Sequence, residues 1–361
     1  TGQSTVMSAV NALAANISGN ISLGRQSQTT SAGTMALTAG GAMTTGDDST
    51  QSSGTSLTVS AASLSTGVMS TLEAGGTLAV TTSGEITTGT ASRMTANGTL
   101  SLGAGGAIST GTDSVIIGAT NIVVSGASLT TGTRSSMAAG TALAATTTDG
   151  TTLGVASRMT ADSMLDMTAG GSISALQDAL ISAGRATTLR AGDNATFANG
   201  SITQADSDLT IAADDDLTQD LGALFTAANL ITLSIDLGDA DAPRATMALN
   251  GALEAQAIEM RGGADDDIFR INVTAIDGNT NLRAGAGDDD IFINRLPSMT
   301  TVRGGLRDSF SIDGEAGTDE IEIDLTGVSD VVINTFDTGA PNDGLDRMLI
   351  RTTTDDDTVL V

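Results

Sequence analysis

The stretch that decides the fold is Leu100-Ser-Leu-Gly-Ala-Gly-Gly-Ala-Ile-Ser-Thr-Gly111. Leu100 and Leu102 alternate with small residues, which is the pattern of a short strand with one buried face. Three glycines follow and allow a tight bend, after which Ile108 begins a second short strand. The stretch therefore predicts two short strands joined by a bend that most side chains would block.

The same phrase returns along the first half of the chain at steps of 21 or 22 residues. The glycines that close each copy are Gly24, Gly46, Gly67, Gly89, Gly111, Gly132 and Gly154. A repeat of this length is typical of a coil that cannot bury its apolar face alone and stacks on copies of itself. The repeat therefore predicts a solenoid.

Three columns of apolar residues accompany these glycines and predict three short strands per coil. One column lies three residues before the glycine, one lies five residues after it, and the third is an alternating pair such as Leu100 and Leu102. A helical solenoid is the competing interpretation, but the Gly, Thr and Val content and the period-2 alternation argue against it. We therefore predict an all-β fold, a parallel β-helix (β-solenoid) with about 21–22 residues and three short strands per coil.

Composition excludes several kinds of chemistry. The 361 residues include no His, Cys, Tyr or Lys, so Ser-His-Asp, Cys-His, Schiff-base and His-ligated zinc sites are impossible. The formal charge of −27 argues against nucleic acid and anionic lipid as partners and favours divalent cations. No stretch is apolar enough for a membrane span, and we recognise no signal peptide, so we expect no membrane insertion.

The repeated phrase resembles the coil repeats of filamentous-haemagglutinin-like adhesins and other large bacterial exoproteins. The resemblance covers about residues 15–190 and depends on the period and the glycine positions. It implies an extracellular β-solenoid that is secreted or displayed on a bacterial cell surface. Its expected partners are further copies of itself, or a host surface, an abiotic surface or a glycan.

Composition changes near residue 190. Residues 1–190 carry a net charge of −3 and residues 191–361 carry −24, and all six Phe and three Pro lie in the second part. We therefore expect regular coils over 1–190 and acidic, less regular coils over 191–361. The segment from Asp236 to Arg244 is the expected excursion from the solenoid.

Two Gly- and Asp-rich phrases stand out in the acidic part: Arg261-Gly-Gly-Ala-Asp-Asp-Asp-Ile-Phe269 and Ala284-Gly-Ala-Gly-Asp-Asp-Asp-Ile-Phe292. They resemble the calcium-binding nonapeptide of RTX proteins, in which Gly turns expose carbonyl groups and Asp carboxylates complete a cage of oxygen ligands. Weaker versions surround Asp308 and Asp319. The resemblance implies Ca²⁺ as a cofactor, bound between loops of adjacent coils.

The candidate calcium ligands are Asp265, Asp266, Asp267, Asp288, Asp289, Asp290, Asp308 and Asp319. Matched position by position, the key carboxylates are Asp266, Asp289 and Asp319, with Asp308 a poorer match. The apolar anchors after them are Ile268, Ile291, Ile321 and Phe310. The alternative interpretation is a solvated acidic turn that keeps the solenoid soluble and blocks lateral strand pairing.

A column of threonines directly precedes the repeated glycine: Thr45, Thr66, Thr88, Thr110 and Thr131. We expect this column to face outward, either as a strand-stabilising stack or as a surface that orders water or binds ice.

Together these observations predict a non-enzymatic extracellular protein, an adhesin stalk or filament subunit, stabilised by calcium at its acidic loops. A self-assembling filament or surface-layer protein is one alternative. A polysaccharide-degrading β-helix enzyme is another, because paired carboxylates are the one catalytic arrangement that the composition allows.

Overall fold

The structure is a computed structural model that describes residues 4–236, 244–294, 309–324, 332–339, 344 and 346–351. Its chain divides into two compact units. The first contains Thr1–Gly171 and Ala175–Gly184, and the second contains Ser172–Ser174 and Arg185–Val361. The compositional boundary at residue 190 falls inside the second unit.

Every regular element among the described residues is a strand. The strands are β1 (Val6–Ala9), β2 (Ala12–Ile17), β3 (Ile21–Leu23), β4 (Gln28–Ser31), β5 (Thr34–Ala39), β6 (Ala42–Thr45), β7 (Thr50–Ser53), β8 (Leu57–Ala61), β9 (Ser63–Ser65), β10 (Thr71–Ala74), β11 (Leu78–Thr82), β12 (Ile86–Thr87), β13 (Arg93–Ala96), β14 (Leu100–Ala104), β15 (Ile108–Ser109), β16 (Val115–Gly118), β17 (Asn121–Gly126), β18 (Leu129–Thr130), β19 (Ser136–Ala139), β20 (Ala142–Thr147), β21 (Thr151–Leu153), β22 (Arg158–Ala161), β23 (Met164–Ala169), β24 (Ile173–Ala175), β25 (Leu180–Ala183), β26 (Ala186–Ala191), β27 (Ala195–Phe197), β28 (Ile202–Ala205), β29 (Asp208–Ala213), β30 (Leu217–Gln219), β31 (Leu224–Ala227), β32 (Leu230–Ser234), β33 (Thr246–Leu249), β34 (Ala252–Arg261), β35 (Ile268–Ile271), β36 (Ala275–Ala286), β37 (Asp290–Ile293), β38 (Ser309–Ala316), β39 (Glu320–Asp324), β40 (Val332–Phe336) and β41 (Arg347–Arg351). The described part of the chain includes no helix long and apolar enough to cross a membrane.

Each coil of the first unit contributes three strands, and each strand pairs in parallel with its counterparts in the coils before and after. In the coil that contains Leu100, β13 pairs with β10 and β16, β14 with β11 and β17, and β15 with β12 and β18. Leu100 therefore lies between Leu78 and Ile122 in register. The predicted fold class, an all-β parallel β-solenoid with three strands per coil about 22 residues apart, is confirmed.

The three predicted apolar columns line the interior. Leu100, Leu102 and Ile108 are all buried, as are Leu72 and Met94 in the column five residues after the glycine. Because like side chains lie over like in a parallel register, each coil covers the apolar face of its neighbour. Hydrophobic burial of each coil therefore depends on the coils beside it.

The turn between the third strand of one coil and the first strand of the next uses a left-handed residue. This residue lies two positions after the repeated glycine; the eight non-glycine examples are Gln26, Asp48, Met69, Ala91, Asp113, Arg134, Ala156 and Asp178, with φ between 53° and 57°. In the second unit Gly200 and Gly222 take the same conformation. The left-handed region costs an L-residue about 1–2 kcal/mol, so Met69 and Ala91 carry conformational strain.

The repeated glycine is required for a different reason. A Cβ atom added at Gly111 would lie 2.4 Å from the carbonyl oxygen of Gly89, in the coil before. The backbones of successive coils therefore approach so closely at this corner that any larger residue displaces one of them.

The threonine column that precedes this glycine faces inward, so the expectation of an outward ladder is wrong. Each threonine hydroxyl oxygen accepts the main-chain N–H of the glycine one coil later. These bonds are Gly67 to Thr45 (3.4 Å), Gly89 to Thr66 (3.0 Å), Gly111 to Thr88 (3.0 Å), Gly132 to Thr110 (2.9 Å) and Gly154 to Thr131 (2.9 Å). A buried hydroxyl with this partner satisfies an amide that the sheet leaves unpaired.

The outward hydroxyl column lies one residue earlier, on the third strand of each coil. In the first unit its members are Ser22, Thr44, Ser65, Thr87, Ser109, Thr130 and Thr152. In the second unit they are Ser174, Thr196 and Thr218. This face therefore repeats a short hydroxyl side chain at every coil.

The coils of the second unit become less regular after β32. Strand β34 pairs with both β31 and β32, so the first and second strands of that coil merge, with an irregularity between Glu254 and Ala257. The interior also changes, since Phe197 and Phe225 pack edge to face with ring centroids 4.8 Å apart. Residues 237–243 of the expected excursion lie outside the described residues.

Candidate cation site

The predicted calcium loops lead into the third strands of three successive coils. Asp265–Asp267 precede β35, Asp288 and Asp289 precede β37, and Asp319 precedes β39. Because β35, β37 and β39 pair in parallel, these loops stack on one another. Asp308 lies outside the described residues.

The loops form two columns, an inner and an outer one. Ile268 pairs with Asp290, and Asp290 with Glu320, so Asp267, Asp289 and Asp319 follow one another in register. All three are buried, with exposed fractions of 0 to 2%. We call these three residues the inner column.

The register differs from the sequence match by one residue. Matching the two Asp-Asp-Asp-Ile-Phe segments paired Asp266 with Asp289, which are 23 residues apart. The backbone register is 22 residues, as in the pairing of Arg261 with Arg283, so Asp267 lies over Asp289 instead. Phe269 consequently takes the inward position expected for Ile268, which is only half-buried.

Main-chain amides link the inner column from coil to coil. The N–H of Asp267 donates to Oδ1 of Asp289 (2.7 Å), and the N–H of Asp289 donates to Oδ1 of Asp319 (3.0 Å). The N–H of Asp319 donates in turn to Oδ1 of Asp346 (3.1 Å). Asp267 also receives the N–H of Gly263 (2.8 Å) on Oδ2. Each inner carboxylate therefore accepts an amide from the coil before it.

The outer column consists of Asp236, Asp266 and Asp288, and its hydrogen bonds run in the opposite direction. The Oδ1 of Asp266 accepts the N–H of Asp288 (2.7 Å), and the Oδ1 of Asp288 accepts the N–H of Thr318 (2.9 Å). Asp236 accepts the amides of Ala264 (2.8 Å) and Asp265 (3.2 Å) on Oδ2. Outer carboxylates therefore accept amides from the coil after them. Asp236 was not among the predicted ligands, because no Gly-rich turn precedes it.

Asp265 and Asp290 have other surroundings. Asp265 is half-buried at the edge of its loop. Asp290 forms an ion pair with Arg244, with Nη2 and Oδ2 2.6 Å apart. Because both partners are partly exposed, this pair contributes little to stability.

Burial raises the pKa of all three inner carboxyl groups. Desolvation is the main cause, and it raises the pKa of Asp289 to about 8, with Asp267, Asp319 and Asp266 as nearby negative charges. Desolvation likewise raises the pKa of Asp267 to about 6 and that of Asp319 to about 6. The amide hydrogen bonds act against this rise in each case. At neutral pH the fold therefore favours a proton on Asp289.

Two observations bear on whether a cation fits here. Among the described residues, no group of three or more acidic side chains comes close enough together to hold a metal ion. Yet Oδ1 of Asp267 and Oδ2 of Asp289 are buried and have no hydrogen-bond partner among those residues. These two oxygen atoms are the donors that remain for a proton or a cation.

A second acidic feature lies on the surface of the same unit. A groove of about 430 Å³ is lined by Gln204, Asp206, Thr226, Glu254 and Asp277, with four alanines. Glu254 and Asp277 are direct neighbours on paired strands. This groove contains the paired carboxylates that the hydrolase alternative requires.

Comparison of the chain with protein-family models, with curated proteins and with solved structures found no match.

Proposed function

We propose that this protein is a non-enzymatic, secreted or surface-displayed β-solenoid that acts as an adhesin stalk or filament subunit. The observation that carries the proposal is the outward hydroxyl column, which offers the same short polar side chain in coil after coil. A periodic, uncharged row of this kind suits contact with an extended partner such as a glycan chain or a solid surface. The resemblance of the repeat to filamentous-haemagglutinin-like exoproteins supports the same role.

The test is an attachment assay with the whole chain displayed on beads. Replacing Thr87, Ser109 and Thr130 with Glu puts three charges on the hydroxyl column without entering the core. We expect attachment to glycan-coated or abiotic surfaces to fall at least tenfold. A matched control places Glu at Ala79, Ser101 and Val123, which face outward on the second strands. Equal loss in both variants, or no attachment by the unaltered chain, contradicts the proposal.

Self-assembly is the second candidate, and the first coil favours it. Strand β1 pairs with β4 and β2 with β5, and the described residues provide no partner on the opposite side of either strand. Val10 is 83% exposed, and Val6 and Ile17 are also exposed. An open strand edge with apolar neighbours is able to receive another strand.

Electron microscopy of the purified chain distinguishes this candidate from the first. We expect Ser8→Lys and Asn16→Lys, which place charges on this edge, to shorten or abolish filaments. Thr34→Lys, on β5 inside the stack, is the control and should leave them intact. Particles that stay single at all concentrations exclude self-assembly of this chain.

Calcium binding at the inner column is a separate proposal, supported by the two unpartnered carboxylate oxygens and by the RTX-like phrases. Ca²⁺ takes six to eight oxygen ligands, so an ion at Asp267 and Asp289 would need backbone carbonyl groups or water as well. An ion that binds only the folded state raises the melting temperature. We expect Ca²⁺ to raise it at pH 8.5 and EDTA to lower it, and Asp289→Asn to abolish both changes. A melting temperature that is indifferent to both reagents rules calcium out.

The hydrolase alternative has its own test, because it depends on the groove at Glu254 and Asp277. A reducing-sugar assay over a panel of acidic and neutral polysaccharides measures cleavage directly. Activity that is lost in both Glu254→Gln and Asp277→Asn would replace the structural role with an enzymatic one. No release of reducing ends is the result expected from a structural protein.

A further inference from the structure

The interior of the early coils contains a cluster of uncharged polar side chains. Thr29 lies on β4 and Gln51 on β7, directly in register, and the next residue in that column is Leu72. Thr29 and Gln51 are 1% and 0% exposed. Two coils therefore place polar groups where the following coils place Leu or Met.

The hydrogen-bonding groups of this cluster have no protein partners among the described residues. Both Nε2 and Oε1 of Gln51 are buried and unpaired, and so are the hydroxyl groups of Thr29 and Ser53. Ser27 and Ser49, also buried, contribute two more unpaired hydroxyl groups. An amide offers two donors and two acceptor lone pairs, and leaving them all unmet in the interior is strongly unfavourable.

Gln219 shows what a buried glutamine does when the fold supplies its partners. It is likewise 0% exposed. Its Nε2 donates to the carbonyl oxygens of Ala223 (3.2 Å) and Ala252 (3.0 Å), and its Oε1 accepts the N–H of Gly251 (3.3 Å). The backbone around Gln51 is engaged in the regular parallel ladders of β4, β7 and β10. Its partners must therefore come from outside the chain.

We propose that Gln51 and Thr29 form an internal binding site for ordered water, completed by the hydroxyl groups of Ser53, Ser27 and Ser49. Water fits because it both donates and accepts, as a mixed amide and hydroxyl lining requires, and because these five side chains are uncharged. Paired strands lie about 4.8 Å apart, which is within the reach of one molecule that bridges side chains in consecutive coils. A buried water typically makes about three hydrogen bonds, and this lining supplies that number.

A crystal structure of the full chain, at a resolution that shows ordered solvent, tests the site directly. We expect an electron-density peak within hydrogen-bond distance of both the Gln51 amide and the Thr29 hydroxyl. An interior with no such peak, or a Gln51 amide paired with protein groups on both sides, overturns the proposal.

A double-mutant cycle tests the same bridge in solution. If water joins the two residues, Gln51→Met alone leaves the Thr29 hydroxyl and its water short of partners, so the unfolding midpoint falls. Adding Thr29→Val then recovers at least half of that fall, because it removes the group left unpaired. If Gln51 is simply unpaired, Gln51→Met alone raises the midpoint, which contradicts the proposal.

Gln219→Met is the matched control for this cycle. It lowers the midpoint because three backbone groups lose their partner, and Thr29→Val should add to it without coupling, since the two sites share no contact. Coupling of equal size at both glutamines would mean that the effect is not local and would overturn the bridge. The crystal structure of the unaltered chain decides if a variant fails to fold.

Discussion

The hydroxyl oxygen of Thr88 accepts a 3.0 Å hydrogen bond from the main-chain N–H of Gly111, one coil later. Thr87, its neighbour on the same strand, faces solvent. The two residues are identical in type and adjacent in sequence, yet only one of them ties successive coils together.

Thr88→Val should therefore destabilise the protein while Thr87→Val should not. The first change leaves a buried N–H without its acceptor, which costs about 1–3 kcal/mol. The second removes an exposed hydroxyl, and we expect a change within about 0.5 kcal/mol. Urea unfolding followed by circular dichroism measures both. Equal effects would mean that the inward threonine column does not stabilise the stack.

Gly111→Ala and Gly103→Ala form a second matched pair. A Cβ at Gly111 would lie 2.4 Å from a backbone oxygen of the preceding coil, whereas at Gly103 the nearest atom is 3.6 Å away, at the Ser125 hydroxyl. We expect Gly111→Ala to destabilise by at least about 2 kcal/mol, since backbone must move. Gly103→Ala should be neutral or stabilise by about 0.5–1 kcal/mol, because alanine loses less backbone entropy in a strand. Thermal melts of the two variants give the comparison, and similar melting temperatures would refute it.

Ala91→Gly should stabilise the first unit. Ala91 has a φ of 53°, and glycine adopts that conformation without the steric cost that an L-residue bears. After allowing for the greater entropy of glycine in the unfolded chain, we expect a gain of about 0.5–1 kcal/mol. Ala138→Gly on β19, where φ is not positive, is the control and should lose a similar amount. A loss at both positions would show that the turn at residue 91 carries no strain.

Stability should fall as the pH rises from about 4 to 8. The folded pKa of Asp289 is about 8 and those of Asp267 and Asp319 are about 6, against an ordinary value of 3.8. Over this range the folded state keeps protons that the unfolded state releases, so each increase in pH favours unfolding until the folded groups also ionise. Chemical denaturation at half-unit intervals, without divalent cations, measures the slope.

Asp289→Asn removes the group with the highest pKa and keeps an oxygen that can accept the amide of Asp267. The slope of stability against pH should become shallower, most clearly between pH 6 and 8, and the variant should exceed the unaltered chain in stability at pH 8. Asp290→Asn, at an exposed ion pair, is the control and should leave the slope unchanged. A stability that rises with pH over this interval would contradict the assignment.

The architecture was readable from the sequence because a parallel stack repeats its lining at a fixed interval. Leu100, Leu102 and Ile108 recur in register with apolar counterparts, and every one of them is buried. The orientation of Thr110 was missed because its small polar side chain suggested solvent. Alternation counted from Ile108 places it inside, where the amide of Gly132 gives its hydroxyl a partner.

The inner carboxylate column was only partly visible in the sequence. Five identical letters align Asp266 with Asp289, but the hydrogen-bonded ladder and not the lettering sets the register, and it selects Asp267. The buried polar cluster at Gln51 escaped notice for another reason. A glutamine in a Ser- and Thr-rich segment looks like surface until the parity of its strand is known.

The in-register stack makes one coil of the first unit nearly interchangeable with the next. Removing residues 90–111 would bring β10 against β16, with Leu72 over Ile116 and Gly89 beneath Gly132, and every column would still meet its own kind. The length of such a chain is therefore a property that evolution or a designer can adjust in whole periods, by duplication or loss, without redesigning an interior.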